Sequence, residues 1–301
     1  MAANLVNPAP RMLGGEVPIG PLAFGCWRFT GSSDAENARL VSAALDAGMN
    51  LVDTADVYGL DWGGTGFGTC EEALGRVLAG NPSLRARMVL ATKGGIIPGV
   101  PYDSSAAYIV SACEASMRRM GVDHIELYQI HRHDFFTHPH EVAGAFAALH
   151  GRGLVSMFGV SNFSVTQTLA LLAHVEVPLV TSQPEFSCAQ LAPMRDGTLD
   201  LCMEEGLVPL AWSPLAGGRL ATGEGMRPEL VAVLDDLAAR EGVSRAAVAV
   251  AFVLAHPSQS VAIVGTQTPA RLHELAAATN VALTREDVYR LVQASEGAPL
   301  P

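Results

Sequence analysis

Little in this chain of 301 residues suits a disulfide scaffold, a membrane span or a nucleic-acid binder. Its five cysteines (Cys26, Cys70, Cys113, Cys188, Cys202) are odd in number and scattered, with no C-x-x-C pair. That usage suits reduced thiols and speaks against a disulfide framework or a zinc site, so no metal is expected. No uninterrupted apolar run is long enough to cross a bilayer. The start, "MAANLVNPAPRML", has neither the basic leader nor the apolar core of a signal peptide. A cytoplasmic protein is the expectation. Basic residues are few: 19 Lys and Arg against 30 Asp and Glu leave a formal net charge of −11. That balance argues against nucleic acid or an anionic membrane as partner. The spacing G-x-G-x-x-G is missing too, and with it the usual mark of an open, doubly wound dinucleotide-binding sheet.

What the chain does have is alternation. Short apolar runs fall at 22–27, 49–54, 88–93, 125–131, 154–160, 179–183, 207–213 and 261–265. Amphipathic stretches separate them. "SDAENARLVSAALDAG" reads as a helix capped by Ser33 or Asp34 and stopped by Gly48. "SSAAYIVSACEASMRRMG" and "SRAAVAVAFVLAH" read the same way. Strands apolar on both faces imply a parallel sheet covered on its outside. Eight strand–helix units predict an α/β fold, a closed (β/α)8 TIM barrel. The stretch 10–20 predicts a hairpin at the barrel bottom, and 284–301 a final helix with a short tail. No linker or shift of composition divides 1–301, so one domain is expected.

Active groups of such barrels stand at the carboxyl ends of the strands. There the stretch "LVDTADVYGL" (51–60) ends an apolar run in Asp53 and brings Tyr58 five residues later. A desolvated carboxylate costs several kcal/mol unless a cation or donors compensate it. The third run ends in Lys93, which needs a counter-charge for the same reason, so a pair across neighbouring strands is expected. A free phenol, with its pKa of about 10, is a poor acid at neutral pH. An adjacent ammonium stabilises phenolate, so Lys93 is expected to lower the pKa of Tyr58. His131 ends the fourth run and can hydrogen-bond the same reacting oxygen.

"NLVDTADVYG", "ATKGG", "IELYQIHRHD", "GVSNF" and "AWSPLAGGRL" occur in order at successive strand ends. Together they closely resemble the aldo-keto reductase superfamily, from about residue 11 to about 294. The resemblance implies a (β/α)8 barrel that binds NADP(H) and reduces aldehyde or ketone carbonyls of small molecules. It implies Tyr58 as proton donor, Lys93 and Asp53 as its tuning pair, and His131 as substrate orienter. Ser161, Asn162 and Gln183 match residues that hold the nicotinamide carboxamide, and Trp212 the ring on which nicotinamide stacks. Gly25, Cys26, Trp27 and Arg28 match the first-strand loop beside the cofactor. Ser213, Leu215, Gly217 and Arg219 match the loop over the pyrophosphate. Gly265, Thr266, Gln267, Arg271 and Glu274 match the adenosine end, Arg271 toward the 2′-phosphate. The family commonly has Glu-Asn where this chain reads Glu274-Leu275.

Each residue also has a plainer reading. Alone, Tyr58 reads as loop packing, Lys93 as a strand-end lysine and His131 as a core histidine. Asp56 reads as a turn residue and Asp134 as a loop cap. "DWGGTGFGTCEE" (61–72) has five glycines but lacks the Lys-Ser/Thr that a phosphate loop needs. It is expected over the substrate mouth, and Trp27, Phe29, Trp62, Phe67 and His133 are the expected pocket lining. Two other functions compete with a reductase: a Schiff-base lyase using Lys93, and a non-catalytic NADP(H)-binding redox sensor.

Overall fold

The computed structural model of the chain describes residues 3–30, 33–60 and 63–301. Two short strands come first, β1 (Arg11–Leu13) and β2 (Val17–Ile19), paired antiparallel. Eight more follow: β3 (Leu22–Gly25), β4 (Leu51–Asp53), β5 (Val89–Gly94) and β6 (Ile125–Ile130), then β7 (Val155–Ser161), β8 (Leu179–Gln183), β9 (Val208–Ala211) and β10 (Val261–Val264). They are parallel and close into a barrel in the order β10-β3-β4-β5-β6-β7-β8-β9. Each of the eight apolar runs falls on one strand; five run a residue or more past its end, where the chain already turns into loop, while β5 and β7 extend one residue beyond their runs, to Gly94 and Ser161.

Helices cover the outside. α1 (Asp34–Asp46) follows β3, while α2 (Thr69–Gly80) and α3 (Pro82–Arg85) follow β4. α4 (Ala106–Met120), α5 (Pro139–Gly151), α6 (Val165–Leu172) and α7 (Thr198–Glu205) each follow the next strand in turn. After β9 come α8 (Arg219–Thr222), α9 (Pro228–Glu241) and α10 (Arg245–Leu254), and after β10 come α11 (Pro269–Ala276) and α12 (Arg285–Glu296). Local chemistry sets their ends. Ser33 caps α1 in a reciprocal box with Glu36. Gly48 then takes the left-handed backbone, φ 81°, that turns the chain toward β4. Among the described residues no helix is long and apolar enough to cross a membrane. All five cysteines are free and buried.

Side chains alternate across each strand, and that parity builds both the core and the site. Leu51, Val89, Ala91, Leu127 and Met157 point into the barrel. Leu13 and Ile19 of the hairpin join them, so β1 and β2 cover the end where the strands begin. Phe24, Val52, Leu90, Tyr128 and Phe158 point the other way and pack under the helices. One step of two residues further on, the inward positions turn polar. Leu51 is followed by Asp53, Ala91 by Lys93, and Leu127 by Gln129 and then His131.

Candidate active site

A cavity of about 960 Å³ opens at the carboxyl ends of the strands. Its wall includes Asp53, Tyr58 and His131. Lys93 is fully buried beside them. Its ammonium donates to Asp53 Oδ2 at 2.7 Å and to the Thr54 carbonyl at 2.8 Å. The other oxygen of Asp53, Oδ1, accepts from the amides of Gln129 and Gln183, each at 3.2 Å. A buried ion pair is tolerated only when its remaining lone pairs are also satisfied. Here the two glutamines supply those donors. Burial alone would lower the pKa of Lys93, but Asp53 and Tyr58 together hold it above the ordinary lysine value.

The Lys93 ammonium lies 5.1 Å from the centroid of the Tyr58 ring. Burial pushes the Tyr58 phenol up to about 12, and Lys93 pulls it down by less. The expected acidified phenol is therefore not what this site holds. Desolvation of phenolate outweighs the attraction of the ammonium, and the hydroxyl keeps its proton at neutral pH. His131 packs edge-on against Tyr58, ring centroids 5.6 Å apart. Burial, with help from Lys93 and Arg132, holds its pKa well below the ordinary histidine value. The imidazole is neutral, and its Nδ1 is buried with no partner among the described residues.

Most of the remaining candidates line the same cavity: Gly25, Trp27, Arg28, Ser161, Asn162, Gln183, Trp212, Ser213, Leu215, Gly217, Gly265, Thr266, Gln267, Arg271 and Glu274. Trp212 donates from Nε1 to Asn162 Oδ1 at 2.9 Å. Asn162 donates in turn to Ser161 Oγ at 2.8 Å, and Ser161 to the Gln183 carbonyl at 3.1 Å. This chain of bonds sets the indole plane against the wall. A side-chain amide has two donor hydrogens and two acceptor lone pairs, so Asn162 and Gln183 retain capacity for a ligand. Across the mouth, Arg28 donates to the Gly217 carbonyl at 3.0 Å. Gly25 has no room for a Cβ, which would lie 2.8 Å from Ile263 Cγ2.

Five candidates stand outside the cavity wall. Cys26 is fully buried, and its backbone amide bonds the Asp53 carbonyl at 2.8 Å. Arg219 is exposed and turns back to the Ala216 carbonyl at 3.0 Å. Phe29 is fully buried edge-on to Phe24, so it belongs to the core. Phe67 lies under the Arg119 guanidinium, 5.6 Å from ring centroid to Cζ. His133 sits between Phe135 and Phe163, with ring centroids at 5.6 and 5.1 Å. Trp62 lies outside the described residues. The two structural aspartates divide. Asp134 does cap its loop, accepting from the Ser104 and Phe136 amides, each at 3.0 Å.

Asp56 does stand in a turn, but it is fully buried there, and neither carboxylate oxygen has a partner among the described residues. Its neighbourhood holds Glu71, also fully buried, bridged to Arg119 at 2.7 Å and bonded by Thr92 at 2.5 Å. A Cβ on Gly94 would meet the Tyr128 hydroxyl and Asp56 Oδ2 together. Burial, then the charge of Glu71, raises the Asp56 pKa to about 8. Gln129 and Arg132 were also missed. Gln129 shares the inward parity of Leu127 and His131, a signal present in the sequence. Arg132 directly follows His131 and lines the cavity with Val57 and Ile96.

A family model described as the aldo/keto reductase family matches residues 21–296. A 6-dehydroglucose reductase of Novosphingobium aromaticivorans is 47% identical over 298 residues, 98% of either chain. The glycerol dehydrogenase of Gluconobacter oxydans superposes with a TM-score of 0.83 at 29% identity, covering 98% of each chain. An aldo-keto reductase from Klebsiella pneumoniae in complex with NADPH superposes with a TM-score of 0.79 at 25% identity, covering 98% of this chain and 96% of its own.

Proposed function

The chain belongs to the aldo/keto reductase family, oxidoreductases of carbonyl compounds, and from that membership we propose that it reduces aldehydes or ketones to alcohols with NADPH, Tyr58 giving the proton. The observation that carries this reading is the grouping of Tyr58 and His131 on one cavity wall beside the buried Lys93–Asp53 pair. The residues fit NADP(H). Trp212 offers a flat aromatic face, and Arg271 has no carboxylate partner among the described residues. Ser161, Asn162 and Gln183 would hold the carboxamide, and Thr266, Gln267 and Arg271 the 2′-phosphate. When bound, NADPH supplies the hydride.

The neutral imidazole of His131 hydrogen-bonds the substrate oxygen and aims it at Tyr58. As negative charge develops on that oxygen, the Tyr58 hydroxyl transfers its proton there. The phenolate left behind is stabilised by the Lys93 ammonium, and Asp53 keeps that ammonium charged and in place. So Lys93 acts on the product of the proton transfer, while burial keeps the resting phenol protonated. A Schiff-base reading needs a neutral amine at Lys93, and its raised pKa opposes one. Polyhydroxylated aldehydes are the first substrates to try, since the relative at 47% identity is a 6-dehydroglucose reductase.

The test is NADPH oxidation over a panel of aldehydes, with wild type and Tyr58→Phe. General acid catalysis is worth about 10²–10⁴-fold. The variant should retain less than about a tenth of the rate, with its NADPH dissociation constant unchanged. More residual activity would remove Tyr58 as the acid. Tight NADPH binding with no turnover of any aldehyde would favour a sensor instead.

A further inference from the structure

Three arginines line the cavity: Arg28, Arg132 and Arg271. Arg28 is committed to the Gly217 carbonyl. Arg271 follows β10, where the proposed reading places the 2′-phosphate. Arg132 is half-buried and has no hydrogen bond or ion pair among the described residues. Its acidic neighbours are taken. Asp134 accepts from Ser104, Phe136 and Thr137, and Asp53 from Lys93, Gln129 and Gln183. Among the described residues of this acidic chain nine other arginines hold carboxylates, most of them at exposed sites. A guanidinium left unpaired in a cleft has its five donors available to a ligand.

The barrel order says which ligand. β6, which delivers His131 and Arg132, stands four strands from β10 in either direction around the closed barrel. Arg132 therefore faces the cavity from the side opposite Arg271, next to the groups proposed to receive the carbonyl. Ile96, which follows the neighbouring strand β5, lines the wall on that side. We propose that Arg132 is a specificity-determining residue that donates hydrogen bonds to hydroxyl oxygens of a neutral, polyhydroxylated carbonyl substrate. The planar fork of arginine matches a pair of neighbouring oxygens. An anionic substrate fits less well, because it would bring further negative charge to a chain already at −11. This inference rests on the proposed carbonyl reduction.

The experiment compares kcat/KM for glyceraldehyde and propanal, two three-carbon aldehydes that differ in hydroxyls, with NADPH. Wild type, Arg132→Met and Arg132→Lys are assayed alongside glyceraldehyde 3-phosphate as the anionic probe. Hydrogen bonds to charged groups are worth roughly tenfold or more in affinity, so wild type should favour glyceraldehyde by at least about that factor. Arg132→Met should bring the ratio close to one, mainly through KM, and Arg132→Lys should restore part of it. An unchanged NADPH dissociation constant establishes that each variant is folded. A wild-type ratio near one, or a ratio that survives Arg132→Met, would overturn the assignment. An Arg132-dependent preference for the phosphate ester would overturn it in favour of an anion site. Turnover of both aldehydes without discrimination sinks this inference alone. No turnover of any aldehyde sinks the reductase reading and this one with it.

Discussion

A phenol that keeps its proton and an ammonium that cannot leave make different demands on their neighbours. For Tyr58 the costly species is phenolate, so Lys93→Met should slow reduction severely, by about 10²-fold or more. Asp53→Asn should be milder, because the ammonium keeps the Thr54 carbonyl as acceptor. Single-turnover NADPH oxidation ranks the two, and the reverse order would refute this division of roles. Asp56 makes a separate prediction. Its pKa is raised from 3.8 to about 8 by burial first and by Glu71 second. Between those values the folded chain keeps a proton that the unfolded chain releases. The stability from this group is thus fully present below pH 3.8 and is lost as pH rises toward 8. The loss is at most about 1.4 kcal/mol per pH unit. Asp56→Asn has no such proton to lose. Its urea midpoint should gain on wild type steadily from pH 5 to pH 8, and a constant gap across that range would show that Asp56 does not titrate in it.

At the level of strands and helices, what was legible follows a period and what was not has none. Eight apolar runs gave eight barrel strands, and strict alternation carries Leu51 to Asp53 and Ala91 to Lys93 on the inner face. Once the chain leaves a strand, parity stops saying where a side chain points. Phe29, Phe67 and His133 are apolar or aromatic loop residues that suit a pocket or a core equally, and packing by Phe24, Arg119 and Phe163 decided against the pocket. Asp56 does stand in a turn, but nothing local announces its burial or the charges of Glu71 and Arg119 that act on it. Desolvation of Tyr58 was equally hidden, since it depends on the whole wall. The start of α11 is a case where element and residue agree. Pro269 opens the helix at a position whose N–H has no intrahelical partner, and Thr268 and Arg271 on either side of that start line one end of the cavity. Arg271→Ala should lose about tenfold or more in NADPH affinity, while NADH binding barely moves. Dissociation constants for both cofactors check this, and equal weakening would take Arg271 out of the site.

The molecule as a whole sets two electrostatic fields against each other. Its net charge of −11 repels an anionic cofactor at long range. Arg132 and Arg271, which line the cavity without a carboxylate partner among the described residues, attract one only inside it. Salt screens these unequally, because the Debye length is about 10 Å at 0.1 M and shields exposed charges far more than enclosed ones. Raising the ionic strength from about 10 mM, where the Debye length is about 30 Å, should remove mainly the repulsion. The association rate constant for NADPH should therefore rise with salt, opposite to the behaviour of a steered cationic site. Dissociation, governed by contacts within the cavity, should change little. Stopped-flow quenching of tryptophan fluorescence gives both constants, with Trp27 and Trp212 on the cavity wall as reporters. In Arg271→Ala the rise in association with salt should be steeper, since less local attraction is left to be screened. Association that slows as salt is added to wild type would mean that the cavity cations outweigh the field of the whole chain, even at the distance where encounter begins.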